Sequence, residues 1–182
     1  MNRIARGVLI AGVAASIAAG GAQAQARGYI GFGGGVSIPS GDFADGVNTG
    51  WLGQVVAGIT GPTGKFGGRI NGSYTRHSFD TLLDDDPNIR FIGVMGDVVF
   101  SPGSGEAKLR PYLLGGLGFQ NVKENTATAE GETNLAFNLG GGVNFAMGRM
   151  KLFIEGRWLS VRTDPQSANM IPLTLGLRFG GN

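Results

Sequence analysis

Five charged residues stand where an alternating strand pattern turns one face of the chain away from water: Arg69, Asp97, Glu155, Arg157 and Arg178. Charges removed from water persist only when paired and hydrogen-bonded. Three cations against two carboxylates therefore predict a salt-bridge network, either a static plug or a gate on a narrow ion path. The neighbouring strand positions of Glu155 and Arg178 make them a candidate pair. His77 is the single histidine and is followed by Ser78. A His–Ser nucleophile needs both groups within hydrogen-bond reach and an acid such as Asp80 or Asp84 to orient the base. Adjacent strand residues point to opposite faces, so a polar histidine at the rim is the expected reading. Asp84-Asp85-Asp86 offers oxygen ligands for a hard cation but lacks the spaced calcium-loop pattern. It reads as a solvated acidic loop. Gly61-Pro62-Thr63-Gly64-Lys65 misses the phosphate-loop pattern, because Ile59 holds the first glycine position and Phe66 follows the lysine. It reads as a hairpin turn. The Gly31–Gly35 cluster lacks the third glycine and the helix of a dinucleotide fingerprint.

The wider composition narrows the chemistry further. The chain has 182 residues, 35 glycines and no cysteine. That excludes disulfides, thiol nucleophiles, cysteine-ligated zinc and a lipidated N-terminal cysteine. One histidine leaves little room for a histidine-based metal site or triad. No metal, no cofactor and no enzymatic activity is expected. The length suits one domain.

Residues 1–26 read as a secretory signal. Arg3 and Arg6 form the basic start, Val8 to Ala19 is apolar, and two A-x-A sites predict cleavage after Ala24 or Ala26. Removing Arg3 and Arg6 lowers Lys+Arg from 15 to 13, equal to the 13 Asp+Glu. The basic balance of the precursor is thus no sign of nucleic-acid binding.

From Arg27 onward the hydrophobic period is two, the strand signature. Leu135, Phe137, Leu139, Val143 and Phe145 alternate with Asn134, Ala136, Asn138, Gly140 and Asn144. The same holds for Ile171, Leu173, Leu175, Leu177 and Phe179 against Thr174, Gly176 and Arg178, and for Ile30, Phe32, Val36 and Ile38 against glycines and Ser37. Eight such segments are predicted, at about 28–38, 50–60, 66–77, 89–100, 110–121, 134–145, 151–161 and 170–179. Each has about the length of a tilted strand that crosses a bilayer. Tight connections, such as 61–65 and 146–150, alternate with longer polar ones, the asymmetry of an outer-membrane barrel.

Alternation alone does not say which face meets water. The non-apolar face carries Gly, Asn, Ser and Thr with few charges, which suits a narrow lumen. The apolar face then meets lipid, with Tyr29, Trp51, Phe66, Phe100, Trp158 and Phe179 as interfacial girdle candidates. The expected extracellular loops are acidic, through Asp42, Asp45, Asp80, Asp84 to Asp86, Glu124, Glu130, Glu132 and Asp164. The short-turn rim is basic, through Lys65, Lys108, Arg149 and Lys151.

The chain resembles the small outer-membrane β-barrels of the OmpA-transmembrane-domain and OmpX-like type. The resemblance rests on Val36-Ser37-Ile38-Pro39-Ser40-Gly41-Asp42-Phe43, on Arg110-Pro111-Tyr112-Leu113-Leu114-Gly115-Gly116-Leu117-Gly118, on Glu155-Gly156-Arg157-Trp158 and on Ile171 to Phe179. It covers residues 27–182, nearly all of the expected mature chain. Two features depart from the family: Gly180-Gly181-Asn182 follow the closing Phe179, and no peptidoglycan-binding domain is expected after the barrel. The resemblance implies an eight-stranded antiparallel transmembrane β-barrel in the outer membrane. It implies lipid and lipopolysaccharide as surroundings, and the barrel assembly machinery as a partner in biogenesis. It also implies a non-enzymatic structural or surface-interaction role, with an extracellular ligand not identified by the residues. The alternatives are a narrow porin-like ion or solute channel and a lipid A-modifying enzyme built on His77 and Ser78.

Overall fold

The computed structural model describes residues 26–79, 88–102, 107–124, 131–163 and 167–181. Eight strands form one closed antiparallel barrel in chain order, β8 returning to pair with β1. They are β1 (Arg27–Ser40), β2 (Gly50–Thr60), β3 (Phe66–Ser78), β4 (Asn88–Phe100), β5 (Leu109–Glu124), β6 (Glu132–Met147), β7 (Met150–Val161) and β8 (Ala168–Gly180). Closure gives every strand two partners, so no edge is left unpaired in lipid. Residues 1–25 of the expected signal segment 1–26, the acids Asp80, Asp84 to Asp86, Glu130 and Asp164, and the side chain of Glu124 lie outside the described residues.

The strands outrun their alternating stretches by a few residues. β5 and β6 reach 16 residues each, because Asn121↔Thr133 and Val122↔Glu132 continue the ladder above the apolar belt. Asn121, Glu132 and Thr133 break the period-two signal there, although Val122 still packs against the lumenal apolar cluster, and the backbone continues to pair. On the opposite rim the chain turns tightly. Met147 pairs with Met150, leaving the two-residue loop Gly148-Arg149, with Gly148 at φ +65. Glycine first in a two-residue hairpin loop, followed by a residue with negative φ, is the type II′ pattern that matches strand twist.

The outward face is apolar around the barrel. Leu139 (67% exposed), Val98 (65%) and Ile30 (64%) are examples of side chains that only a hydrocarbon surround makes favourable. Outward aromatics gather in two belts. Phe66 and Phe100 stand 5.0 Å apart on the short-turn side, with Phe179 against Phe32 at 5.9 Å. Trp51 with Tyr74 (5.2 Å) and Phe137 with Trp158 (5.6 Å) lie towards the long-loop side. Tyr29 departs from the girdle expectation. It points into the lumen, where the Arg178 guanidinium carbon lies 3.4 Å from its ring centroid. Its strand parity settles this: Tyr29 alternates with the lipid-facing Ile30.

Lumenal glycines are slots for large side chains opposite them. A Cβ on Gly58 would lie 2.7 Å from the Tyr29 hydroxyl, and one on Gly142 2.6 Å from the Tyr112 hydroxyl. Gly93 likewise accommodates Gln120, and Gly176 accommodates Phe153. The narrow bore of eight strands is therefore filled by pairing one long side chain with one missing side chain.

Candidate functional site: the lumenal charge network

Arg69 on β3 is the hub of the lumen. Its Nε donates to Asp97 Oδ2 at 2.9 Å, and Asp97 is its direct cross-strand neighbour on β4. Its other two nitrogens form a fork onto Glu155, Nη1 to Oε2 at 2.6 Å and Nη2 to Oε1 at 3.0 Å. Glu155 lies on β7, so this bidentate pair crosses the lumen and ties opposite walls. Glu155 also accepts from the Tyr112 hydroxyl at 2.7 Å and has Arg157 Nε at 3.3 Å. Bidentate charge-assisted bonds combine strength with fixed geometry.

Neutral polar side chains complete the network. Arg157 Nη2 and Asn71 Nδ2 both donate to Gln54 Oε1, each at 2.6 Å. Asn138 Nδ2 donates to Asp97 Oδ1 at 2.8 Å. The network thus draws on β2 through β7, while β1 and β8 contribute small residues such as Gly33 and Gly176. Its charges balance: Arg69 and Arg157 against Asp97 and Glu155. All of these side chains are buried, where an unpaired charge would be costly.

Four of the five charged residues picked out by strand parity come together here; Arg178 does not. Register places Arg178 opposite Lys151, and Glu155 opposite Thr174. Four residues of strand separate the two levels, roughly 13 Å at the usual rise. The sequence pairing of Glu155 with Arg178 is therefore replaced by Glu155 with Arg69 and Arg157. Adjacent strands were the right neighbourhood, but height along the barrel decides contact. Arg178 lies lower, on Tyr29, with Nη2 at 3.5 Å from Thr60 Oγ1. Gln54, Asn71, Tyr112 and Asn138 were legible as lumenal by parity, but their shared height was not.

On the long-loop side of the network the lumen is closed by apolar packing. Ile89, Phe91, Met95, Ala136, Leu159, Val161 and Met170 are buried together, and Phe43, Val47 and Phe79 pack against them. His77 belongs to this lid and not to a solvated rim. It is fully buried, with Nδ1 3.0 Å from the Asn48 carbonyl and its ring edge-on to Phe43 and Phe91. A carbonyl can only accept, so Nδ1 carries the proton. Ser78 lies on the opposite strand face, away from this ring.

The family model described as "Outer membrane protein beta-barrel domain" matches residues 8–179. None of the curated proteins compared with the chain matches it. Among solved structures, the chain is similar to Neisserial surface protein A (16% identity, TM-score 0.58, covering 85% of this chain and 95% of that one). It is also similar to the attachment invasion locus protein Ail of Yersinia pestis (18%, TM-score 0.55, 84% and 98%). A major outer membrane protein from Thermus thermophilus is a third likeness (13%, TM-score 0.53, 86% and 99%). At these identities the likeness is one of fold. With the family match over nearly the whole chain and lipid-facing strands around a filled lumen, the protein belongs to the outer-membrane β-barrel domain family and resides in the outer membrane.

Proposed function

We propose that this chain is a non-enzymatic outer-membrane barrel with a structural or surface-interaction role, exercised by its extracellular loops on a static stave-like body. The observation that carries this reading is the filled lumen. A balanced charge network holds the middle, and an apolar cluster lies between it and the long-loop rim. A conducting path needs continuous polar space; here the buried side chains of Phe91, Met95 and Met170 fill the lumen between the network and the long-loop rim, with Thr75 and Gln120 buried beside them. The Arg69–Asp97–Glu155–Arg157 cluster then acts as a brace between walls, holding the strand ends that carry the loops. The names surface protein A and attachment invasion locus protein describe surface roles for those two neighbours. Lipid and lipopolysaccharide surround the barrel in this reading, the assembly machinery inserts it, and the segment ending at Ala24 or Ala26 is removed on export.

Planar-bilayer recording on the purified barrel tests the reading. Near-zero conductance, together with binding of intact cells to a surface that is lost when the loops are shortened, is the expected result. Steady single-channel steps that change on Glu155→Gln would establish the channel alternative. Altered lipid A in cells expressing the protein, lost on His77→Ala, would establish the enzyme. Intact mass of the membrane form reads the cleavage site.

A further inference from the structure

Below the charge network the lumen opens at the short-turn rim into a cavity of about 450 Å³. Arg27, Lys108, Arg110 and Lys151 line it, with Asn144 and the Gly61–Gly64 turn. Among the described residues no carboxylate lines it. Arg178 joins Arg110 and Lys151 in an adjoining recess. Asp97 and Glu155, the lumenal carboxylates, are engaged higher up by Arg69 and Arg157. What holds the lower cations is neutral. Lys151 Nζ donates to the Gly181 carbonyl at 2.8 Å, Arg110 Nη2 donates to the Gly64 carbonyl at 2.9 Å, and Arg178 rests on Tyr29. The Nε atoms of Arg110 and Arg178 are buried without a hydrogen-bond partner. Like charges confined between low-dielectric walls repel and focus a positive potential into the cavity.

We propose that this inner mouth binds a multivalent oxyanion of the phosphate class, free in solution or carried on a lipid headgroup. Arg110 and Lys151 are the principal ligands, and Arg27 and Lys108 supply charge at the rim. A guanidinium fork and a pointed ammonium suit the several oxygens of a phosphate. A bound dianion would offset the repulsion that the neutral carbonyls leave in place. The site is independent of any role for the loops.

The test uses the full barrel in non-ionic detergent micelles. Its unfolding midpoint is followed by heat-modifiable gel migration at constant ionic strength, with sodium phosphate exchanged for sodium chloride. A parallel arm omits free phosphate and dopes the micelles with phosphatidic acid or, as control, phosphatidylcholine. A saturable rise of several degrees in the first arm identifies free oxyanion; a rise only with phosphatidic acid identifies the headgroup. Arg110→Gln should raise the half-saturating concentration about tenfold or more, through a lost charge-assisted contact. Lys151→Gln should do the same while holding or raising the midpoint in phosphate-free buffer, because a repelled charge is gone. Lys108→Gln, at the rim, gives a smaller shift and serves if the deeper variants fail to fold. Equal midpoints in phosphate, phosphatidic acid and chloride would overturn the proposal, as would a phosphate response unchanged in the variants.

Discussion

Glu155 is where the chemistry of single residues matters most. It accepts from Arg69 twice and from Tyr112, with Arg157 alongside. Glu155→Gln leaves two buried guanidiniums facing a neutral amide. The expected loss is about 3–5 kcal/mol, the usual cost of breaking a buried pair. Adding Arg157→Met should recover part of it, because one uncompensated charge is then removed. Urea titration of the two single variants and the double variant checks this; additive losses would mean that Glu155 and Arg157 do not couple. Arg178→Gln should not rescue Glu155→Gln, since Arg178 sits level with Lys151. Asn138 carries more than its lumenal parity implies. Its amide holds Asp97 Oδ1, so Asn138→Ser should cost about 1.5–3 kcal/mol, the range of a bond to a charged group. A loss near zero in the same titration would remove Asn138 from the network.

At the scale of the strand, β6 offers paired tests a few residues apart. Leu139 is among the most lipid-exposed side chains. Leu139→Arg should cost roughly 2–4 kcal/mol near the bilayer midplane and lower the yield of folded barrel. Retained folding in lipid vesicles at wild-type urea midpoint would put Leu139 outside the hydrocarbon. Gly142 faces the lumen on the same strand, and its missing side chain is the space that Tyr112 occupies. Gly142→Val should push Tyr112 off Glu155 and destabilise by about 1–3 kcal/mol, a typical overpacking cost. Tyr112→Ala in the same chain should relieve part of that strain. Failure of the second change to help would show that the crowding lies with the backbone of Ile154, the other close neighbour.

For the molecule as a whole, the closed ladder predicts cooperative behaviour. Unheated protein in SDS should run as a compact band and shift on boiling, in the outer-membrane fraction; a single band at all temperatures would contradict a closed barrel. The short-turn end is basic, through Lys65, Lys108, Arg149 and Lys151, whereas the described long-loop end carries both signs, Asp42, Asp45 and Glu132 with Arg76, Arg90, Lys123 and Arg162. Between them the network is neutral. The odd cation in the sequence count, Arg178, belongs to the basic mouth instead. Strand alternation is a local property, readable because each side chain answers only to its own strand's two faces. It determined the eight strands, the lipid face of Ile30, Val98 and Leu139, and the lumenal placement of Arg69, Asp97, Glu155, Arg157 and Arg178. Length and loop asymmetry determined the barrel. What alternation lacks is height, because the stagger between strands is set by closure of the whole sheet. Only the tertiary structure therefore decided that Arg69 spans the lumen to Glu155 and that Arg178 falls a level below. It also decided that Tyr29 packs under that cation, and that His77 is sealed beneath Phe43. The strand ends beyond the bilayer were hidden for a different reason: once polar residues such as Asn121, Glu132 and Thr133 interrupt the alternation, backbone pairing continues without a hydrophobic period to mark it.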